Sequence, residues 1–192
     1  KYESRESRRL FFTHQLENLF LLAREQKIDP LSLKGSYAGA MGFGQFMPDS
    51  YRNYAVDFDN DSIADIWKNP SDAIGSVSNY LMRHGWEKDE VIVAKAKLTG
   101  KRAHELIYNK ISRPKKSIEK FIELGLEPLS LDAKPGLKAL PLKLENETRE
   151  EYWFGFQNFH VIGRYNPRVK YAMAVTQLSH LVKDRFCKVH LC

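Results

Sequence analysis

The chain lacks several features that would point directly to common protein classes. Only two cysteines, Cys187 and Cys192, occur among its 192 residues, which excludes a disulfide-dense scaffold, and their spacing matches no metal-binding motif. No run of about 18 apolar residues is present, so the sequence predicts no membrane-spanning helix. Internal repeats and low-complexity segments are also missing. We assign the two cysteines no role, and the question of their pairing stays open.

The charge balance gives weak information about partners. Lys and Arg number 30 against 24 Asp and Glu, a net charge of +6, which favours acidic partners. The basic residues are scattered apart from the cluster at residues 113–116 and form no nucleic-acid-binding motif, so no nucleic acid is expected. A generic solvated basic surface is the simpler reading. The hydrophobic content of 43% supports one core, with room for a small attached lobe.

Apolar periodicity predicts a mainly α chain with one strand-rich interruption. A first helix ends before Asp29-Pro30, a short one spans 48–54, a third opens at Asn69-Pro70 and is ended by Gly85, and a last one follows Asn166-Pro167. Residues 117–124 predict a short helix, and 90–98, 138–144 and 151–156 predict strands. The expected apolar face of the first helix is Phe12, Leu16, Leu19, Phe20 and Ala23; that of the last is Tyr171, Ala174, Val175, Leu178, Leu181 and Val182.

A glycine-rich bend is the most informative stretch of the chain. Gly39, Gly42 and Gly44 lie within six residues, followed by Gln45 and by Pro48 at the start of a helix. Because glycine tolerates positive φ and close backbone approach, such a loop can present backbone N–H and C=O groups beside one carboxamide. This arrangement suits a polyhydroxylated ligand. A tight turn packed under a helix is the alternative.

An acidic segment predicts a cation site. Counted from Asp57 as position 1, carboxylates stand at positions 1, 3, 5 and 9, and a backbone carbonyl is available at position 7. This spacing follows the first half of an EF-hand calcium loop. Ser62 replaces the usual glycine at position 6, and Lys68 at position 12 cannot ligate. We therefore expect an extended loop over 57–72 that binds Ca²⁺; a solvated acidic turn is the alternative. The predicted ligands are Asp57, Asp59, Asp61, Ile63, Asp65 and Asp72.

Aromatic residues and amides are mixed over 152–166. Sugar rings stack on aromatic faces while amides and hydroxyls bind their polar groups, so the mixture suits a saccharide groove. Core packing explains Trp153 and Phe156 at least as well. Asn158 and Tyr165 are the better ligand candidates, because polar groups in such surroundings need partners.

These segments together resemble the membrane-bound lytic murein transglycosylase B family. The resemblance is carried by residues 29–48, 54–58, 72–80 and 152–166, in the family's order over nearly the whole chain. It implies an α+β, lysozyme-like helical core with a small β-containing lobe and a cation in an EF-hand-like loop. We expect a core over 1–88, a small α/β lobe over 89–150, and a return to the core with the last helix over 151–192.

The resemblance also implies the chemistry. Family members cleave the β-1,4 bond between N-acetylmuramic acid and N-acetylglucosamine in peptidoglycan without water, giving a 1,6-anhydromuramoyl product. One carboxyl group protonates the leaving oxygen and then accepts the proton of the attacking C6 hydroxyl. The family's acid lies in a Glu-Thr-Arg-Trp-Gly-like segment that has no counterpart here. We therefore expect a fragment whose acid lies upstream of Lys1. Glu25 is a weak substitute, since its charged surroundings predict an ionised surface group, and Glu17 is weaker still.

The residues carried over as substrate contacts are Ser36, Gln45, Tyr80, Asn158 and Tyr165. Core packing is the alternative for Tyr80. The expected partner is the peptidoglycan glycan strand, for a monomer in the periplasm of a Gram-negative bacterium, with membrane contact only through a lipid anchor outside this chain. A catalytically incomplete glycan- and calcium-binding module and a true hydrolase are the alternative functions. The sequence leaves exo or endo action open.

Overall fold

The computed structural model describes residues 4–100, 107, 109–129, 136–146 and 149–190. The chain divides into two compact units, Lys1–Arg83 and His84–Cys192. The elements of the first unit are α1 (Arg5–Glu25), a 3-10 turn (Pro30–Ser32), α2 (Pro48–Tyr54) and α3 (Pro70–Arg83). Those of the second are β1 (Val93–Leu98), β2 (Lys116–Ser117), α4 (Ile118–Ile122), β3 (Leu126–Pro128), β4 (Lys138–Glu145), β5 (Glu150–Gly155), α5 (Gln157–Tyr165) and α6 (Val169–His190).

The helix starts and stops of the first unit follow the local sequence. The Ser4 hydroxyl accepts a hydrogen bond from the Ser7 N–H and caps α1. Pro48 opens α2 as predicted. The Asn69 amide oxygen accepts from the Ser71 N–H at the start of α3, and Gly85, with φ of 90°, follows the end of that helix.

The second unit is built on a five-stranded sheet in the order β2-β4-β5-β1-β3. All four strand pairs are antiparallel. Phe154 on β5 is fully buried and packs with Phe121 of α4, their ring centroids 5.6 Å apart. On the other side, Leu142 of β4 joins Phe159 and Met173, which lie on α5 and α6. The three strand-like segments of the sequence are therefore confirmed, while α5 was not predicted.

The buried faces of the two long helices differ from the predicted ones. In α1 the buried side chains are Gln15, Asn18, Leu22 and Ala23, whereas Leu16 and Phe20 are 52% and 55% exposed. In α6 they are Val169, Ala172, Met173 and Thr176, whereas Leu178, Leu181 and Val182 are exposed. For α1 the predicted face was wrong except at Ala23, because α2 packs on the polar side of the helix, where it donates to Gln15 and Asn18. For α6 no predicted residue is fully buried, and Val175 packs at the edge of the core.

No helix in the described ranges is long and apolar enough to cross a membrane. Cys187 lies on α6, and Cys192 lies outside the described residues. The first unit ends at Arg83, close to the expected boundary at 88, and the expected division of the remainder at 150 stays a prediction.

Candidate functional site

The glycine bend forms a short hairpin in the first unit. Met41 exchanges two backbone hydrogen bonds with Phe46, N to O at 2.8 and 2.9 Å. Gly39 and Gly42 have φ of 85° and 65°, and Gln45 has φ of 52°, so the bend uses the left-handed region at three positions. A Cβ on Gly42 would lie 2.5 Å from the Ile66 carbonyl oxygen. Glycine at 42 is therefore required by both conformation and contact.

The backbone donors of this hairpin are largely used within the protein. Their N–H groups bond to carbonyl oxygens of the hairpin itself or of Ile66; the donors are Ser36, Gly39, Met41, Phe43, Gln45 and Phe46. The expectation that the loop presents free backbone N–H groups was therefore wrong for these six. The polar groups that remain for a ligand are mainly side chains.

The exposed side chains of the hairpin with hydrogen-bonding capacity include Ser36, Tyr37 and Gln45. The Ser36 hydroxyl oxygen accepts from the Ala40 N–H at 3.1 Å, which leaves its own O–H to donate outward. The Gln45 amide nitrogen donates to the Gly42 carbonyl at 3.0 Å. That bond fixes the carboxamide while using one of its two N–H groups.

Tyr80 of α3 lies in the core of the same unit rather than on an open groove. It is 9% exposed, and its ring packs against Tyr54 and Phe46 at centroid distances of 4.8 and 6.0 Å. Phe46 is the hairpin partner of Met41, so the Tyr80 ring supports the hairpin by packing against Phe46. The packing alternative from the sequence thus accounts for its ring.

A cavity of about 320 Å³ lies between α1 and the hairpin and is bordered by Ser36. Its walls are mostly apolar, with Leu16, Leu19 and Met41 among them. Gln15 also borders it, is 4% exposed, and has an amide nitrogen without a hydrogen-bond partner in the described part of the chain. The Gln15 amide oxygen accepts from the Asp49 N–H at 3.2 Å. Sequence reasoning missed Gln15; the signal was a polar pair, Gln15 and Asn18, at helical spacing.

The acidic loop brings four carboxylates together. Oxygen atoms of Asp57, Asp59, Asp61 and Asp72 all lie within 4.8 Å of one another. The Asp57 carboxylate also accepts the Asp61 and Ser62 N–H groups at 3.1 and 2.8 Å. Ser62 has φ of 76°, so it takes the turn conformation that glycine usually supplies at this position.

Asp72 reaches the loop from the first turn of α3, as the spacing predicted. It is fully buried, and its two oxygens accept from the Phe58 and Asp65 N–H groups, each at 2.8 Å. Four carboxylates this close repel one another strongly unless a cation neutralises them. Since hard cations prefer oxygen ligands, this set of donors fits Ca²⁺.

Asp65 has a different position from the other predicted ligands. It is not in the group of four carboxylates, and its Oδ1 accepts from the Trp67 and Lys68 N–H groups, both at 2.9 Å. Beside it, the buried Tyr51 hydroxyl donates to the Ala64 carbonyl at 2.9 Å. Burial, followed by the nearby carboxylates, raises the pKa of Tyr51 to about 12. Asp65 thus caps a turn that α2 holds in place.

The Glu25 carboxylate forms an ion pair with a cation and does not have the environment of a general acid. Its carboxylate accepts two hydrogen bonds from the Arg52 guanidinium, at 2.6 and 2.9 Å. These hydrogen bonds lower the pKa of Glu25 below its ordinary value. A general acid at neutral pH needs the opposite shift. Arg52 also donates to the Asn18 amide oxygen at 2.7 Å, so Glu25 belongs to the network that joins α1 to α2.

The two candidates of the second unit lie on α5 and differ in burial. Asn158 is 1% exposed; it accepts from the Glu87 N–H at 2.9 Å and donates to the Glu87 and Glu90 carbonyls at 2.7 and 3.2 Å. Through these three hydrogen bonds the Asn158 side chain acts as a clamp that holds residues 87–90 in place. Tyr165, at the end of α5, is half-buried. The structure groups Ser36, Gln45 and Tyr80 in the first unit and Asn158 and Tyr165 in the second.

Comparison with known proteins gives consistent matches. A family model described as the transglycosylase SLT domain matches residues 2–180. The chain is 44% identical over 174 residues to membrane-bound lytic murein transglycosylase B of Escherichia coli (strain K12), covering 90% of this chain and 46% of that protein.

Two solved structures have ligands that bear on the site. The Escherichia coli lytic transglycosylase Slt35 in complex with calcium is 42% identical, with a TM-score of 0.82, and the match covers 94% of this chain and 55% of that one. SltB3 from Pseudomonas aeruginosa in complex with NAG-NAM-pentapeptide is 31% identical, with a TM-score of 0.75, covering 91% and 46%. The chain therefore spans about half the length of these relatives.

Proposed function

The chain belongs to the transglycosylase SLT domain family, and we propose on that basis that it acts in the lytic cleavage of peptidoglycan. The reaction breaks the MurNAc-β-1,4-GlcNAc bond and closes a 1,6-anhydro ring on the muramoyl product. The hairpin, which presents Ser36 at a cavity and Gln45 on its exposed surface, carries this proposal. Its sequence is one of the segments that resemble the lytic transglycosylases.

The side chains at the cavity and on the exposed surface of the hairpin suit an N-acetylated sugar. The Ser36 O–H at the cavity, and the N–H of the exposed Gln45 that does not bond to Gly42, can donate to a sugar hydroxyl or an acetamido carbonyl. The unpartnered Gln15 amide nitrogen adds a third donor, and the apolar wall formed by Leu16 and Met41 suits the acetamido methyl group. Tyr165 and Asn158 remain the proposed substrate contacts of the second unit. Asn158 would act indirectly, by holding the backbone of residues 87–90 in place.

The general acid is proposed to lie outside these 192 residues. Protonation of the leaving oxygen requires a neutral carboxyl group, and the resulting carboxylate must then take the C6 hydroxyl proton. Glu25 is unsuited to both steps, because the hydrogen bonds from Arg52 lower its pKa and so make it a poor proton donor and a weak base. The same observation favours a second candidate function for the chain alone: a glycan- and calcium-binding module without cleavage.

Calcium is proposed as a structural ion. Asp57, Asp59, Asp61 and Asp72 would bind it together with the Ile63 carbonyl oxygen. Asp65 was part of the predicted ligand set, and its capping role makes it the weakest member. The ion would hold the loop whose Ile66 carbonyl contacts the hairpin, so its role is to support the site rather than to take part in the chemistry. We propose the envelope of a Gram-negative bacterium as the location, by analogy with the membrane-bound relative.

Purified peptidoglycan tests the proposal. The chain is mixed with insoluble sacculi; sedimentation measures binding, and mass spectrometry of the soluble fraction distinguishes anhydro-muropeptides from reducing-end products. Anhydro-muropeptides establish transglycosylation, reducing ends establish a hydrolase, and binding without products establishes the binding module. An absence of binding overturns the proposal. Ser36→Ala and Gln45→Ala should each weaken binding about fivefold, whereas Ser78→Ala on α3, whose hydroxyl donates to the Ile74 carbonyl, should not.

A further inference from the structure

The second half of α6 carries an apolar face that the fold does not bury. The buried side chains of this helix all lie near its start, from Val169 to Thr176. The structure describes every residue of 178–190, and none of these side chains is buried. At a helical rise of roughly 1.5 Å per residue this segment is about 20 Å long. Its large apolar side chains are between 56% and 67% exposed; they are Leu178, Leu181, Val182, Phe186 and Val189.

These five side chains share one face of the helix. Counted from the first of them, they stand at positions i, i+3, i+4, i+8 and i+11, which at roughly 100° per residue places them within a sector of about 140°. An apolar stripe of this width usually packs on a core. A contiguous apolar patch that faces solvent instead marks an interaction surface.

The same segment is basic. Lys183, Arg185 and Lys188 stand against one acid, Asp184, which gives residues 178–190 a net charge of +2 with neutral histidines. Within the described part of the chain these three cations form no ion pair. On the helical wheel Arg185 lies in the apolar stripe and Lys188 at its edge. Such long side chains can cover apolar surface with their stems while the charged heads reach an anion.

The apolar stripe and the unpaired cations together restrict the partner. A second copy of this chain would bring two positively charged segments together. A nucleic acid would leave the apolar stripe without a partner. A surface of anionic lipids neutralises the cations with its headgroups and takes the apolar side chains into the boundary between headgroups and acyl chains. It is therefore the partner that satisfies both features.

We propose that residues 178–190 of α6 bind the surface of an anionic membrane. The helix would lie in the plane of the interface with its apolar stripe towards the acyl chains, since it is not long and apolar enough to cross the bilayer. This contact needs neither a glycan nor calcium, so it goes beyond the proposed function. It would act in addition to the lipid anchor that the resemblance implies outside this chain.

Vesicle sedimentation tests this proposal. The 192-residue protein is mixed with vesicles of phosphatidylcholine alone, or of equal parts phosphatidylcholine and phosphatidylglycerol, and the bound fraction is measured. At low ionic strength we expect at least about tenfold tighter binding to the anionic vesicles, since each cation near such a surface contributes about fivefold. This preference should shrink when the salt is raised to about 0.3 M. Equal binding to the two kinds of vesicle overturns the proposal, and so does an absence of binding to both.

Two double variants with the same loss of charge locate the cationic contribution. Lys183→Gln/Lys188→Gln should weaken binding to the anionic vesicles at least about tenfold. Lys115→Gln/Lys116→Gln removes two charges from exposed residues elsewhere in the second unit and should change binding by no more than about twofold. An equal loss in the two variants would show a non-specific attraction by the whole protein and overturn the assignment to α6.

A second matched pair tests the apolar stripe. Leu181→Ser/Phe186→Ser should also weaken vesicle binding at least about tenfold. Ile74→Ser/Met82→Ser, on α3, alters two side chains of similar exposure, 67% and 62%, and should retain the binding. Circular dichroism checks that each variant keeps its helices. If the chain instead forms a dimer without vesicles and Leu181→Ser/Phe186→Ser disrupts it, the face is a self-association surface and the membrane proposal is wrong.

Discussion

The backbone N–H of Phe43 donates to the carbonyl oxygen of Ile66 at 2.9 Å. Phe43 belongs to the glycine hairpin and Ile66 lies within the acidic loop of residues 57–72, so this bond joins the two features that the sequence singled out separately. Gly42 lies beside it, where the absence of a side chain permits the approach. The position of Gln45 therefore depends on the conformation of the acidic loop, although no ligand group is shared.

Gly42→Ala should destabilise the protein and impair glycan binding. The new Cβ would lie 2.5 Å from the Ile66 oxygen, at φ of 65°, and overpacking plus left-handed strain should cost about 2 kcal/mol or more. Gly39→Ala is the control: its φ is 85° but nothing lies within 4 Å of its Cβ, so a loss of about 1 kcal/mol is expected. Urea unfolding and sacculus sedimentation measure both effects. Equal losses in the two variants would contradict the proposed contact.

Calcium should stabilise the folded chain. At a free concentration 100 times Kd the free energy of unfolding should rise by roughly 2.7 kcal/mol, seen as a higher melting temperature that a chelator reverses. Asp61→Asn, which keeps the shape of a grouped carboxylate while removing its charge, should shift the response to higher calcium concentration. Asp184→Asn on α6 should behave as the unaltered chain does.

Asp65→Asn tests whether Asp65 is a calcium ligand or only caps the turn that follows it. The Asp65 carboxylate lies outside the group of four and caps Trp67 and Lys68, so an asparagine can keep one of its acceptor atoms there. We expect a calcium response close to that of the unaltered chain. A response as weak as that of Asp61→Asn would restore Asp65 to the predicted ligand set.

The ion pair of Glu25 with Arg52 should appear in the acid limb of the stability profile. The folded-state pKa of Glu25 is lowered, so its stabilising contribution is fully present above the unfolded-state pKa near 4.5 and is lost as the pH falls through the lower folded value. Urea unfolding between about pH 5 and 2 should therefore show a shallower decline for Glu25→Gln. Glu17→Gln is the control, since Glu17 is an exposed glutamate on the same helix. An unaltered slope in Glu25→Gln would contradict the ion pair.

The sequence predicted those features that depend on local backbone chemistry. Pro48, Asn69 and Gly85 mark helix ends, and the alternating aspartates bring Asp72 into the acidic loop, because such signals act over a few residues. The helix over 157–165 was missed because its aromatic residues were interpreted as a saccharide surface rather than tested for helical spacing.

Which face of each helix is buried depends on its tertiary partners, and sequence periodicity does not identify those partners. In α1 the apolar stripe containing Leu16 and Phe20 is largely exposed, while Gln15 and Asn18 are buried where Asp49 and Arg52 of α2 donate to their amide oxygens. The same limitation applies to the site. An amide can contact a ligand or hold a backbone segment, and only the partners in the fold distinguish the two roles.

Asn158 gives a direct test of that distinction. Asn158→Ala would leave the Glu87 N–H and the Glu87 and Glu90 carbonyls without their side-chain partner in a buried setting, and should cost about 2–4 kcal/mol of unfolding free energy. Gln157→Ala on the same helix removes one bond of 3.3 Å to the Gly85 carbonyl from an incompletely buried position, and should cost about 0.5 kcal/mol. Urea unfolding compares the two. If Asn158→Ala instead kept its stability and lost only affinity for glycan, the side chain would be a substrate contact, and the clamp assigned here to residues 87–90 would be wrong.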